Sequence, residues 1–384
     1  MLAALNCQTP DHPPCSFMIF GALLQQSDTY LDFIQHQLEL GLDPAVMIPP
    51  RPPVVVNDHY NLYGLPISHD PRVIIEENVT HPEGEEWPIM VKTYQTPAGD
   101  LTARVRQTED WRWGDHVPFL DDYLIPRSEK FIVESPTDLA AFEYLLVPPK
   151  DEEIDQFKHV SKPVIDFAHQ YDLLLAGGWG VGMDMIGWVH GLNSLVYDVY
   201  DQPDFVRDLY TIIAKWNRQR MTLILDAGID LYIKRAWYEN TDFFTPKTWQ
   251  ELIQPQLRMD VDLAHSAGVK FGYIITANAM PLLDRIAETG VDVIIGIDPQ
   301  AYDMRATKDR VGERICLWGG VNGHLTVEQG SPEAVESEVS AALETLGPDG
   351  FILSPVDNIR QATQKAMKNV KTLIHTWQVQ TDQV

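Results

Sequence analysis

The sequence predicts an α/β protein, a (β/α)8 TIM barrel with an insertion in its N-terminal half that carries a β-hairpin. Two observations predict it. From about residue 150 onward, short apolar runs alternate with helical stretches that have clear start and stop signals. The runs themselves show little polar alternation, as parallel strands buried on both faces require. A length of 384 residues and 43.6 kDa fits one large domain, 1–384, interrupted at 51–148. A doubly wound sheet would show a similar alternation with fewer strands.

Taken in order, Phe17–Phe20 and Ala45–Ile48 are the first strand candidates, and they flank a helical segment over Tyr30–Leu40. The pattern then breaks at Pro50-Arg51-Pro52-Pro53. Within the insertion, Ile89–Tyr94 and Leu101–Arg106 alternate in polarity around a Pro97–Asp100 turn, which predicts the hairpin. Its Trp111–His116 segment is either a lid over a pocket or an aromatic anchor to the barrel rim. Beyond it come Leu173–Ala176, Asp230–Ile233, Phe271–Ile275, Val293–Ile297, Ile315–Trp318 and Phe351–Leu353, completing eight strands. Thr245-Pro246 opens a helix that Pro255 should kink, and Ser331-Pro332 opens another that Gly347 stops.

Composition narrows the function classes. The net charge of −26 repels nucleic-acid backbones and anionic lipid, so neither is an expected partner. At 45% hydrophobic and 22% charged the chain matches folded globular proteins rather than disordered ones. No apolar run reaches membrane-spanning length, and the N-terminus lacks the features of a signal peptide. Cys7, Cys15 and Cys316 are too few for a disulfide framework, so a cytoplasmic location is expected. None of the 12 histidines has another within five residues, and no Cys-x-x-Cys pair exists, so the common metal motifs are missing.

Barrel enzymes carry their reactive groups at the C-terminal ends of the strands. Those ends offer Trp179, Arg235, Trp237, Tyr238, Glu239, Asn278, Asp298, Asn322, His324 and Asp357. Glu239 and Asp357 are the candidate catalytic acids, because a carboxyl desolvated by an apolar pocket can donate a proton near neutral pH. Trp179, Arg235, Trp237, Tyr238, Asn278 and Asn322 are the candidate substrate-binding residues. The simpler alternatives are an ion pair of Arg235 with Glu239 or Asp357, a helix cap for Asn278, a helix-dipole contact for His265 and a surface loop for His324.

Several of these segments resemble the uroporphyrinogen decarboxylase superfamily. They are Leu317–Asn322 followed by Gly330–Val335, Thr245–Trp249 with Gln254-Pro255, Ala287–Asp292, Gly350–Pro355, and the opening Leu2–Asn6 with Pro10–Pro14. The resemblance implies a single barrel and one of two chemistries. One branch decarboxylates uroporphyrinogen without a cofactor; the other comprises corrinoid-linked methyltransferases, many holding zinc with a His-x-Cys pair and a later Cys. Here those three positions read Ile274, Thr276 and Asp357, so no zinc is expected. The decarboxylases' N-terminal arginine motif is also missing, since Ser16–Leu24 contains no arginine. The resemblance therefore implies a methyltransferase acting on a small methyl donor, with a corrinoid (cobalamin) supplied by a partner protein and homodimers common among such barrels. Decarboxylation of a small acid is the alternative, and a non-catalytic ligand-binding barrel the third reading.

Overall fold

The computed structural model describes residues 1–50 and 67–381; the expected start of the insertion at Arg51–Pro53 lies outside the described residues. The chain divides into two compact units. One comprises Met1–Ile48, Lys162–Gly178 and Gly228–Val384; the other comprises Pro49–Ser161 and Trp179–Ala227.

The first unit is organised around a parallel sheet of seven strands in sequence order. These are β1 (Val46–Ile48), β6 (Leu175–Gly180), β7 (Leu231–Arg235), β8 (Lys270–Ile274), β9 (Val293–Ile297), β10 (Cys316–Asn322) and β11 (Phe351–Val356), with β6 running past the unit boundary. Almost every residue of these strands is buried, which explains why the sequence shows apolar runs rather than alternation. One face of the sheet is aliphatic: a Cβ on Gly272 would meet Ile295, Leu231 and Ile233 side chains at 3.1–3.6 Å.

The expected strand at Phe17–Phe20 does not form. Two isolated parallel bridges, Cys15↔Leu353 and Ile19↔Asn358, hold that segment beside β11 instead. The reason lies in Pro355, which has no N–H to continue the ladder. The Ser16 carbonyl accepts from Trp318 Nε1 at 2.8 Å, and the Met18 N–H donates to Ser354 Oγ at 2.9 Å.

Strand ends also differ from expectation. Gly177–Gly180 and Gly319-Gly320 lie beyond the expected strands Leu173–Ala176 and Ile315–Trp318, yet they extend β6 and β10. Their glycines permit close approach of neighbouring backbones: a Cβ on Gly178 would lie 2.5 Å from the Ile233 carbonyl oxygen, and one on Gly319 would lie 2.6 Å from Ile297 N and O. The helix opened by Thr245 is capped as expected, Oγ1 accepting from Thr248 N at 3.1 Å. Pro255 acts less as a kink than through a π-helical turn at Trp249–Ile253, just before the Gln254–Ser266 helix. Gly347 ends the Pro332–Leu346 helix, in an extended rather than a left-handed conformation.

The second unit contains an antiparallel sheet in the order β2 (Ile74–Thr80), β3 (Ile89–Thr96), β4 (Gly99–Arg106), β5 (Ser128–Lys130). The expected hairpin is β3–β4, closed by a tighter turn than predicted because Thr96 pairs with Gly99 across Pro97-Ala98. Strands β2 and β5 leave little mark in the sequence, because β2 is exposed along most of its length and β5 has three residues. Met90, Val105, Val117 and Leu124 form one buried hydrophobic cluster of the unit, with Trp111 packed against them. Trp111 and Trp113 stand edge to face at 4.8 Å, and Arg112 lies 4.2 Å from the Tyr123 ring, so this aromatic segment anchors within its own unit. The unit also holds the helices Met183–His190, Leu192–Asp201 and Pro203–Leu225. No described helix is long and apolar enough to cross a membrane.

Candidate active site

The polar residues after β7 and β8 are built from strand alternation. Lys234 and Arg235 are both buried inside β7 and, being consecutive, project to opposite faces. Lys234 lies opposite Tyr273 in the register, on the face covered by the Gln254–Ser266 helix. Its ammonium sits 3.2 Å from Asp260 Oδ2 and 3.8 Å from Glu239 Oε1. Glu239 in turn accepts a hydrogen bond from the Tyr273 hydroxyl at 2.5 Å. All four side chains are buried, so the network is shielded from water and its attractions are strengthened.

Glu239 is thus held from two sides, by the Tyr273 hydroxyl and by the Lys234 ammonium. The geometry makes it a brace for the turn that follows β7. That turn is fixed further by Asn240, whose Nδ2 donates to the Trp237 carbonyl at 2.7 Å and whose Oδ1 accepts from Asp242 N at 2.8 Å. Arg235 stacks its guanidinium 4.6 Å from the Trp237 ring centre, and Tyr238 meets Phe243 edge to face at 5.5 Å. Arg235, Trp237 and Tyr238 are thus brought together on one strand exit.

The other expected residues have separate surroundings. Asn278 is exposed, and the residue capping the following 3-10 turn is Ala279, so Asn278 is not the cap; its carbonyl accepts from Thr241 N at 3.0 Å and ties the two turns together. The Asn322 Nδ2 donates to both Asp298 oxygens at 3.1 and 2.9 Å, and its Oδ1 accepts from Leu325 N at 2.6 Å, so the amide also closes the turn after β10. His324 is exposed, 3.0 Å from Glu328, as the surface reading expects. His265 bonds Asp292 at 2.7 Å rather than serving its helix dipole alone. Trp179 belongs to the second unit and adopts a left-handed φ of +69°. Asp357 follows β11 with a φ of +68° and is exposed. Left-handed backbone at a side chain other than glycine costs conformational energy and gathers at functional positions.

Sequence reasoning missed Lys234, Tyr273, Asp260 and Asn240. The available signal was a lysine at the strand position that alternates toward the helix layer, with a tyrosine in register on the next strand.

Beside Asn322, Glu338 accepts from its backbone N–H at 2.9 Å. Burial, with the nearby Asp298 charge, raises the Glu338 carboxyl above its ordinary range despite that bond. A raised acid binds its proton more tightly in the folded chain, so stability falls as pH climbs through the carboxylate range. Glu338→Gln keeps an acceptor for Asn322 and removes the titration. In urea unfolding at a series of pH values, the variant should gain on the native chain as pH rises. A constant gap would refute the assignment.

The donor set tests the zinc positions. Ile274 is a buried strand residue without a ligating atom, and Thr276 and Asp357 offer only hard oxygen, so these residues do not fit a thiolate zinc centre. Among the described residues, no group of three or more His, Cys, Asp or Glu side chains is placed to hold a metal ion.

The family model described as uroporphyrinogen decarboxylase (URO-D) matches residues 122–378, more than half of the chain. The chain belongs to the URO-D family. No curated protein matches it. Among solved structures, a methyltransferase from Methanosarcina mazei is similar with a TM-score of 0.59 and 18% identity, over 98% of this chain and 97% of that one. A B12-independent methionine synthase from Shewanella sp. W3-18-1 is similar with a TM-score of 0.49 and 10% identity, over 97% of this chain and 98% of that one. At such identities the first likeness concerns the fold alone. The URO-D family includes decarboxylases and methyltransferases, so the site must decide between them.

Proposed function

We propose that this URO-D family member is a methyltransferase, moving a methyl group from a small donor, such as a methyl ether or methylated amine, to a corrinoid carried by a partner protein. The fold is then a closed (β/α)8 barrel of one domain, with the Cys15–Ile19 segment as the eighth stave and 51–148 as the insertion.

The observation that carries this reading is the segment Ser16–Leu24. It runs beside the C-terminal end of β11, with Gly21 N–H donating to Asn358 Oδ1 at 2.9 Å, and contains neither arginine nor lysine. Phe17 and Phe20 pack there, ring centres 4.8 Å apart. A polycarboxylate needs a cationic wall to offset its desolvation, and this wall is aromatic. A small, weakly charged donor suits it.

In this reading the corrinoid is the methyl-accepting substrate. The chain supplies the rest: Arg235, Trp237 and Tyr238 bind and orient the donor, and Asn278 lies at the edge of the same turns. Asp357 protonates the departing oxygen or nitrogen as the bond to the methyl carbon breaks. A donor covering Asp357 removes water from it and favours the protonated carboxyl.

The test is anaerobic spectrophotometry of cob(I)alamin, free and bound to a corrinoid protein, with a panel of small methyl ethers and methylamines. Methyl transfer to cobalt is expected for at least one donor. Release of carbon dioxide from a small acid, with Arg235 gripping the carboxylate and no dependence on a corrinoid, would replace the proposal with decarboxylation.

A further inference from the structure

The Pro203–Leu225 helix of the second unit buries three neighbouring side chains rich in hydrogen-bond donors: Trp216, Asn217 and Arg220. Asn217 is 1% exposed, and its Oδ1 accepts from the Val181 N–H at 3.1 Å, in the turn that follows β6. That bond fixes the orientation of the amide. Its Nδ2 is therefore turned away from the turn, buried and without a hydrogen-bond partner. Trp216 Nε1 is likewise buried without a partner. Arg220 follows Asn217 by three positions and Trp216 by four, so it is the neighbour of each along the helix, between two side chains that do not face one another. Its guanidinium lies 4.3 Å from the Trp216 ring centre, and the residue is 1% exposed.

A buried amide that donates to nothing is rare, because folding normally pairs such groups. Here the orphaned donors stand beside a buried positive charge. The missing partner is thus an acceptor, and one carrying negative charge gains most. We propose that Asn217, Trp216 and Arg220 form an oxyanion subsite that takes the carboxylate of a small organic acid.

A carboxylate accepts at two oxygens and can serve the Asn217 amide and one edge of the guanidinium together. The proposal does not require Arg220 to lack other interactions, since its five N–H groups can serve more than one acceptor. Trp216 holds the guanidinium plane from beneath. The subsite lies wholly within the second unit and does not depend on the proposed methyl transfer.

The experiment is calorimetric titration of the full chain with formate, acetate and benzoate, using chloride for ionic strength and benzamide as the neutral control. Asn217→Asp is the decisive variant. It keeps the oxygen that accepts from Val181 and replaces the donor with an acceptor that repels an anion. We expect saturable binding of at least one carboxylate, none of benzamide, and affinity at least about tenfold weaker in the variant, as loss of a hydrogen bond to a charged group predicts. Should Asn217→Asp fail to fold by circular dichroism, Arg220→Gln with the same titrants replaces it. Absence of carboxylate binding to the native chain overturns the proposal, as does equal affinity in the variant. The first result would mean that ordinary water fills the position.

Discussion

Asp357→Asn is expected to lower methyl transfer to cob(I)alamin by about two orders of magnitude or more, the scale of a lost general acid. The substitution is chosen for its backbone. Residue 357 stands at a left-handed φ of +68°, a region that Asn tolerates as readily as Asp. The side chain is also exposed, and Asn matches Asp in size, so the change opens no cavity. Melting should therefore move little while turnover collapses. The loss should be greatest for donors whose leaving group is most basic, since these depend most on a proton arriving as the bond to the methyl breaks. A donor with a good leaving group should be affected least. Equal rates in the native chain and the variant, across all donors, would remove Asp357 from the chemistry.

The position of Asp357 could be read from the sequence, while the surroundings of Glu239 could not, and the difference is physical. Strand identity follows from apolar runs, and β9 was predicted to the residue as Val293–Ile297. The residue after such a run is a strand exit whatever the tertiary contacts. Polar residues inside a strand break that reasoning. Lys234 and Arg235 look like an exit, yet they complete β7, because Asp260 on a helix beginning twenty residues later supplies a counter-charge. Long-range pairing of this kind leaves no local trace. The glycine pairs mislead for a related reason. Gly178 and Gly319 lie just past the apolar runs, where a strand is expected to stop, but the Ile233 and Ile297 backbones of the neighbouring strands press so close that only glycine fits there.

The make-up of the candidate site was legible to the extent that residue chemistry survives a change of position. Arg235, Trp237 and Tyr238 share a strand exit, as their spacing suggests. Asn322 looked equally suitable, yet its amide is bound by Asp298 and Leu325. An amide at a strand end is as useful for closing a turn as for holding a substrate, and the sequence alone does not separate the two uses.

Lys234→Met should cost about 3–5 kcal/mol of folding stability, the usual penalty for removing one partner from a buried charge pair. The methionine fits the space of the lysine stem, so packing is nearly preserved. What is lost is the ammonium between Asp260 and Glu239, at 3.2 and 3.8 Å, leaving two buried carboxylates without it. In urea unfolding the midpoint should fall steeply while the slope stays the same. Adding Asp260→Leu should recover much of the loss, because a buried pair exchanged for apolar groups of similar size is often neutral. Recovery of stability need not restore function. With the ammonium gone, Glu239 loses one of the contacts that hold it beneath the turn bearing Trp237 and Tyr238, and the turn is less firmly placed. The repaired double variant should fold near normally yet bind the methyl donor more weakly, raising KM more than it lowers kcat. Native KM in that variant would reduce the network to a stability device. A midpoint barely changed by Lys234→Met alone would deny it even that role.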